Sequence, residues 1–169
     1  MTTKNDERKK QESKLQNILD GDINLNSYGL NVNLAGDTVV VTGVVDTLSE
    51  KNHAKRIVKD AVADRRVEMA VSISTDGAVD DNDVTMEVAE EIAIKGLEDK
   101  VSANVNKGVA QLMGEVENEE LKQKAADAAA KARGVTKVVN QIKIRDNNVR
   151  EVRGDEFHNQ VRNDHEDVE

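Results

Sequence analysis

The chain has 169 residues, of which 37% are hydrophobic and 34% charged, with no Cys, Trp or Pro and with Tyr28 and Phe157 as the only aromatic side chains. The missing cysteines exclude disulfides, thiolate metal sites and a Cys nucleophile. A net charge of −9 argues against nucleic acid as a partner, because phosphate neutralisation dominates such binding. The length allows one ordinary domain or two small ones, each with a lean aliphatic core.

The opening MTTKNDERKKQESK is charged, with no apolar stretch behind it, so it reads as neither signal peptide nor transmembrane segment. On that reading a full gene product is expected in the cytoplasm and a processed form in the periplasm or exported. A helix is expected over roughly Asp6 to Asp20, closed by Gly21. NSYGLNVNLAGDTVVVTGVV alternates as a hairpin with Gly36-Asp37 near its turn. Thr47-Leu48-Ser49-Glu50 is a capping box that opens a second helix, with Ala54, Ile57, Val58 and Ala61 facing inward. DRRVEMAVSIS supplies a third strand, and TDGAVDD links it to a further helix.

The same order then recurs. That helix is expected over roughly Asp83 to Asp99, capped by Asn82 or Asp83, with Val88, Ala89, Ile92, Ala93 and Leu97 as its apolar residues. VSANV, NKG and VAQLMGEV form a hairpin, and Asn118 caps a helix whose inner face is Leu121, Ala125, Ala128 or Ala129, and Ala132. Gly134 is placed to end that helix. TKVVNQIKI is the last strand, with Val138, Asn140, Ile142 and Ile144 on one face.

Placing Gly43 on Gly114 gives an offset of 114 − 43 = 71 residues. Without gaps, the same offset puts Val45 on Val116, Ala54 on Ala125, Ala61 on Ala132, Val71 on Ile142 and Leu30 on Val101. The chain is therefore an internal duplication. The expected class is α+β: two tandem αββαβ units, each a three-stranded mixed sheet with two helices on one face. The divisions are a flexible segment at 1–11, units at 12–74 and 84–145, a linker at 75–83, and a charged, disordered tail at 146–169.

GVAQLMGEVENEELKQKAADAAAKARGVTKVVNQIKI resembles the BON domain, the module named for bacterial osmotic-stress and nodulation proteins. The resemblance is carried by the hairpin with Gly114 in its second strand, the Ala-rich helix, and GVTKVVNQIKI. The first copy matches in DTVVVTGVVDTLSE and its helix, but has Asp64-Arg65 near the place of the family's Gly-Val pair, a departure at the helix-to-strand turn. The resemblance implies non-enzymatic paired modules, as in two-BON stress proteins of bacterial envelopes. The roles it implies are binding of phospholipid surfaces or envelope components, support of folding under osmotic stress, or binding of a cation such as potassium.

No phosphate loop, helical His pair or Ser-His-Asp frame is present, so neither an enzyme nor a cofactor is expected. His53 falls on the exposed side of its helix, while His158 and His165 lie among tail acids and read as solvated charge. DGAVDDNDVTMEVAEE lacks EF-hand order and reads as a capped helix start. Gly43 and Gly114 inside strands read as close backbone approaches. Between Leu121 and Arg145 seven cations (Lys122, Lys124, Lys131, Arg133, Lys137, Lys143 and Arg145) stand against Asp127 alone, a local +6. They are the candidate contact for anionic lipid, set against a solvated face and strand-edge lysines. The exposed third strand of each sheet is a candidate for pairing two copies.

Overall fold

The computed structural model describes residues 3–76 and 80–146. The tail beyond 146, with His158 and His165, lies outside the described residues. In the first unit, α1 (Lys4–Gly21) leads into the β1 (Asn31–Ala35) and β2 (Thr38–Val45) hairpin, then α2 (Leu48–Val62) and β3 (Arg66–Ile73). The second repeats this as α3 (Asp81–Ile94), β4 (Val101–Asn106), β5 (Val109–Val116), α4 (Glu119–Ala129), β6 (Lys137–Asn140) and β7 (Lys143–Ile144). In each sheet the central strand pairs antiparallel with the strand before it and parallel with the strand after the helix. The class is α+β with two tandem units, as the periodicity predicts.

Each sheet buries one face. Val32, Leu34, Val39, Val41, Val45 and Val71 meet Leu15 and Leu19 of α1 and Ala54 and Val58 of α2. In the second core Val84, Val88 and Ile92 of α3 and Ala125, Ala128 and Ala129 of α4 cover Val101, Val105, Ala110, Leu112 and Val116. The small alanines let α4 lie close to its sheet.

Gly43 and Gly114 hold equal places, with φ of 145° and 138°. A Cβ on Gly43 would stand 2.6 Å from Leu30 Cδ2, whereas one on Gly114 would overlap the carbonyl of Lys100. Both are therefore close approaches at the start of the neighbouring strand, the second of backbone to backbone.

Several local expectations need correcting. α1 starts at Lys4, two residues before the expected Asp6, and takes in residues set within the flexible segment at 1–11. α3 starts earlier than expected, with Asp80 as its cap accepting from the Asn82 and Asp83 amides. This frees Asp81 to bind the β4–β5 turn through Lys107 N at 2.8 Å and Gly108 N at 3.3 Å. α4 ends at Ala129 rather than at Gly134, which sits four residues past the Ala130 cap in the following turn with φ 84°. Ala61 is exposed, although its counterpart Ala132 is buried.

The last strand is broken at Gln141-Ile142, while its register holds. Val109 faces Lys137 and Val116 faces Ile144, the same 28-residue spacing that joins Thr38 to Arg66. The cause is Asn140 on the core-facing side, where the first unit has Met69. Its side chain must find partners, and it takes the Ile142 amide at 3.1 Å and the Lys122 carbonyl at 3.0 Å. Ile144, expected on the inner face, ends the outermost strand and is 45% exposed.

Candidate functional site

The helices guard one edge of each sheet. Along β1, the Leu34 amide donates to Glu12 Oε1 at 2.7 Å and the Val32 amide to Gln16 Oε1 at 3.0 Å, while Gln16 Nε2 reaches the Leu30 carbonyl. Along β4, Thr85 Oγ1 accepts from the Val105 amide at 3.1 Å. The outer amides of Val32 and Leu34 in β1 and of Val105 in β4 are thus occupied, which hinders strand addition there. These polar helix residues escaped the sequence reading, because each looks like an ordinary solvated position.

The uncovered face of each sheet is mixed, with Val44 in the first unit and Met113 in the second exposed among polar residues. Along β5, Ala110, Leu112 and Val116 lie under the helices, so Gln111, Met113 and Glu115 project from the opposite side. Parallel partners in register share a face, which places Lys137 beside Val109 and Lys143 beside Glu115 on the open side. Arg145 continues the alternation, and its Nε donates to Glu115 Oε1 at 3.2 Å. Ser102, Asn104 and Asn106, opposite Met113, Gln111 and Val109, complete this face.

The seven basic residues of 121–145 therefore divide between two sides of the unit. Lys137, Lys143 and Arg145 occupy the open sheet face, with Glu115 as the acid among them. Lys124 and Lys131 lie on the helix side, where they and Lys95 line a groove of ≈ 580 Å³ together with Glu119, Glu120 and Asp127. Three cations and three acids cancel there. Lys122 is half-buried on α4, and Arg133 is exposed in the turn after it with its amide donating to Glu87 Oε1.

The two units touch through unlike surfaces. The Ser49 amide in the first turn of α2 donates to the carbonyl of Ala130, the α4 cap, at 2.9 Å. An orphan donor at one helix start thereby meets an orphan acceptor at another helix end, and the two dipoles align favourably. Leu48 packs against the second core. Beside this contact is a groove of ≈ 570 Å³ that includes Glu50, His53 and Arg56 from the first unit and Asp127 and Lys131 from the second.

His53, expected on the exposed side, is half-buried there. Its Nε2 donates to Asp22 Oδ2 at 2.9 Å and its Nδ1 accepts from Arg56 at 2.9 Å. Burial pushes the Asp22 carboxyl up, but the His53 bond and the Asn24 and Leu25 amides outweigh it and hold the group below the usual carboxylate range. Among the described residues, no group of three or more His, Cys, Asp or Glu stands together to hold a metal ion, and no helix is long and apolar enough to cross a membrane.

A family model described as BON domain matches residues 8–75 and again 80–146. The chain belongs to the BON domain family. BON domains are generally non-catalytic and occur in periplasmic or envelope proteins. No curated protein matches the chain. Two solved structures of CdsD, a structural protein of the type III secretion system of Chlamydia trachomatis, are similar. The one of its C-terminal domain is 14% identical, covers 82% of this chain and 67% of that one, and has a TM-score of 0.35. The other is 14% identical, covers 81% and 63%, and has a TM-score of 0.36.

Proposed function

We propose that this tandem BON protein is a non-catalytic adaptor that binds anionic phospholipid surfaces of the cell envelope, in a setting of osmotic or envelope stress. The observation that carries the reading is the open sheet face of the second unit, where Lys137, Lys143 and Arg145 stand among amide side chains with no helix over them. An uncovered face with its cations at one edge suits a headgroup layer better than the balanced helix-side groove does. Each Lys or Arg close to an anionic surface contributes about 1 kcal/mol; with Arg145 paired to Glu115 the net two charges contribute roughly 2 kcal/mol, about thirtyfold in affinity.

Co-sedimentation with anionic and with neutral vesicles across a salt series tests the reading. Binding is expected to need anionic lipid and to fade with salt. K137Q/K143Q/R145Q should abolish it, whereas K124Q/K131Q should leave most of it. Equal loss from both variants, or no binding at low salt, refutes the assigned face.

A further inference from the structure

Each of the two sheets has two edges, and unpaired edge amides are a template for another strand. Three of the four edges carry guards. At β1 the Val32 and Leu34 amides go to Gln16 and Glu12. At β4 the Val101 amide donates to the Leu97 carbonyl at 2.9 Å and the Val105 amide to Thr85. At the far edge of the second sheet the strand breaks into β6 and β7, and Asn140 Oδ1 holds the Ile142 amide at 3.1 Å. That amide points outward, since the Gln141 and Arg145 amides donate inward to Leu112 and Val116 and the direction alternates along a strand.

The fourth edge is β3, which runs unbroken over Arg66–Ile73. The Ser74 amide donates inward to the Val45 carbonyl at 2.7 Å. With no break in register, Ser72, Ala70, Glu68 and Arg66 also turn their backbone groups to β2, so Val67, Met69, Val71 and Ile73 turn theirs outward. Among the described residues, nothing accepts from these four amides. Val67, Met69 and Ile73 pack on the first core yet stay half-buried, so the helix side of this edge is apolar and incompletely covered. Where the second unit has Lys137, Val139 and Lys143, β3 has Arg66, Glu68 and Ser72, so the strand-edge lysines give way to a balanced pair. The contact between the units runs through Leu48 and Ser49 of α2 rather than through β3.

We infer that β3 is a dimerisation edge, on which a second copy of the chain pairs antiparallel about a two-fold axis at Ala70 and joins the two first-unit sheets into one. In this register all four outward residues exchange amide and carbonyl bonds, Val67 with the partner's Ile73 and Met69 with the partner's Val71. On the open face Glu68 meets the partner's Ser72, Arg66 the partner's Ser74, and Ala70 its own counterpart, so no like charges stand opposite. An axis at Glu68 would oppose two acids, and one at Ser72 would set Glu68 against Asp76. An axis at Met69 would leave Ile73, and one at Val71 would leave Val67, beyond the end of the partner strand. This self-complementarity selects a second copy over an unrelated extended segment. A single strand pair buries less than a standard interface, so the dimer is expected to be weak and to form with concentration.

The test is sedimentation equilibrium of the full chain over a concentration series, with amide hydrogen exchange read by NMR at the same concentrations. The amides of Val67, Met69, Val71 and Ile73 should gain protection as dimer forms, while those of Glu68 and Ala70, already bonded to β2, change little. Ala70 is exposed, so A70K and A70E should keep the parent's circular dichroism. Each sets like charges opposite at the axis and should weaken pairing by about fivefold or more, whereas an equimolar mixture of the two should restore it as a heterodimer. S72K, which faces Glu68, should tighten it. A chain that stays monomeric up to about 1 mM would overturn the inference and leave the edge to an extended segment of another protein. A dimer that A70K and A70E leave unchanged, or a loss that the mixture does not restore, would overturn it as well. K137Q/K143Q/R145Q should dimerise as the parent does, so failure of the membrane reading and failure of this one are separable.

Discussion

The two strand glycines offer a graded test of the packing. An alanine at either place must hold φ near 140°, which costs an L residue about 1–2 kcal/mol. At Gly43 the new methyl then displaces the Leu30 side-chain tip, 2.6 Å away, and a forced rotamer adds about 0.5–1.5 kcal/mol. The total is roughly 2–3 kcal/mol. At Gly114 the obstacle is the Lys100 carbonyl itself, so backbone must move and the Glu115 amide loses its 3.2 Å bond to that oxygen, about 1 kcal/mol more. Roughly 3–5 kcal/mol is then at stake, comparable with the whole stability of a unit this small. Tyr28, the one tyrosine of the chain, lies in the first unit, with its hydroxyl on Asp46 at 3.2 Å. Tyrosine fluorescence during urea unfolding thus reports on the first unit, while far-UV circular dichroism reports on both. Gly114→Ala should bring the second unit's dichroism transition to much lower urea and leave the tyrosine midpoint nearly in place. Gly43→Ala should move the tyrosine midpoint by the smaller amount. If Gly43→Ala proved the costlier change, or both shifted the tyrosine midpoint equally, the close-approach argument would fail.

Leu48→Glu, which gives the first unit the residue found at position 119, should separate the units; small-angle scattering should show an extended pair, and an unchanged radius of gyration would count against the Leu48 contact. The Glu12 carboxyl is held below its ordinary value, chiefly by the Leu34 amide, and Asp22 is also lowered. Depressed carboxylates stabilise the fold above their unfolded pKa values, near 4, and lose that contribution as pH falls through the folded ones. The parent should therefore exceed Glu12→Gln in tyrosine-monitored stability at pH 7, with the gap closing as the pH falls below about 4. A gap the same at pH 3 as at pH 7 would show that Glu12 acts through something other than its charge.

The strand and helix order was legible because alternation and the 71-residue offset reinforced each other, and each copy corrected the reading of the other. The glycine pair was legible for the same reason, since a strand glycine repeated at the same place has a common cause. The features that stayed hidden depended on geometry between elements. Nothing in Asp81 announces that it will reach across to Lys107 and Gly108, nor in Gln16 that it will serve both Val32 and Leu30. The break in the last strand did have a signal in Asn140, a polar residue set on the apolar face. Periodicity also counted the cations of 121–145 as one group, although the exposed cations of the helix and those of the strand after it lie on opposite sides of the sheet.

The divergence between the copies falls at a few places with distinct physical effects. The paired registers, the strand glycines and the α2 and α4 starts are held in common, so the fold of each unit is fixed by the shared positions. Leu48 against Glu119 lets one copy dock and denies the same contact to the other, which limits head-to-tail association to a single step within the chain. Ala63-Asp64 against Gly134-Val135 leaves the turn exposed in one copy and buries it in the other. Met69 against Asn140 keeps one outer strand continuous and breaks the other, beside the sheet face that carries Lys137, Lys143 and Arg145. The differences spare the paired registers and the strand glycines, so the copies diverge locally without either losing the common fold.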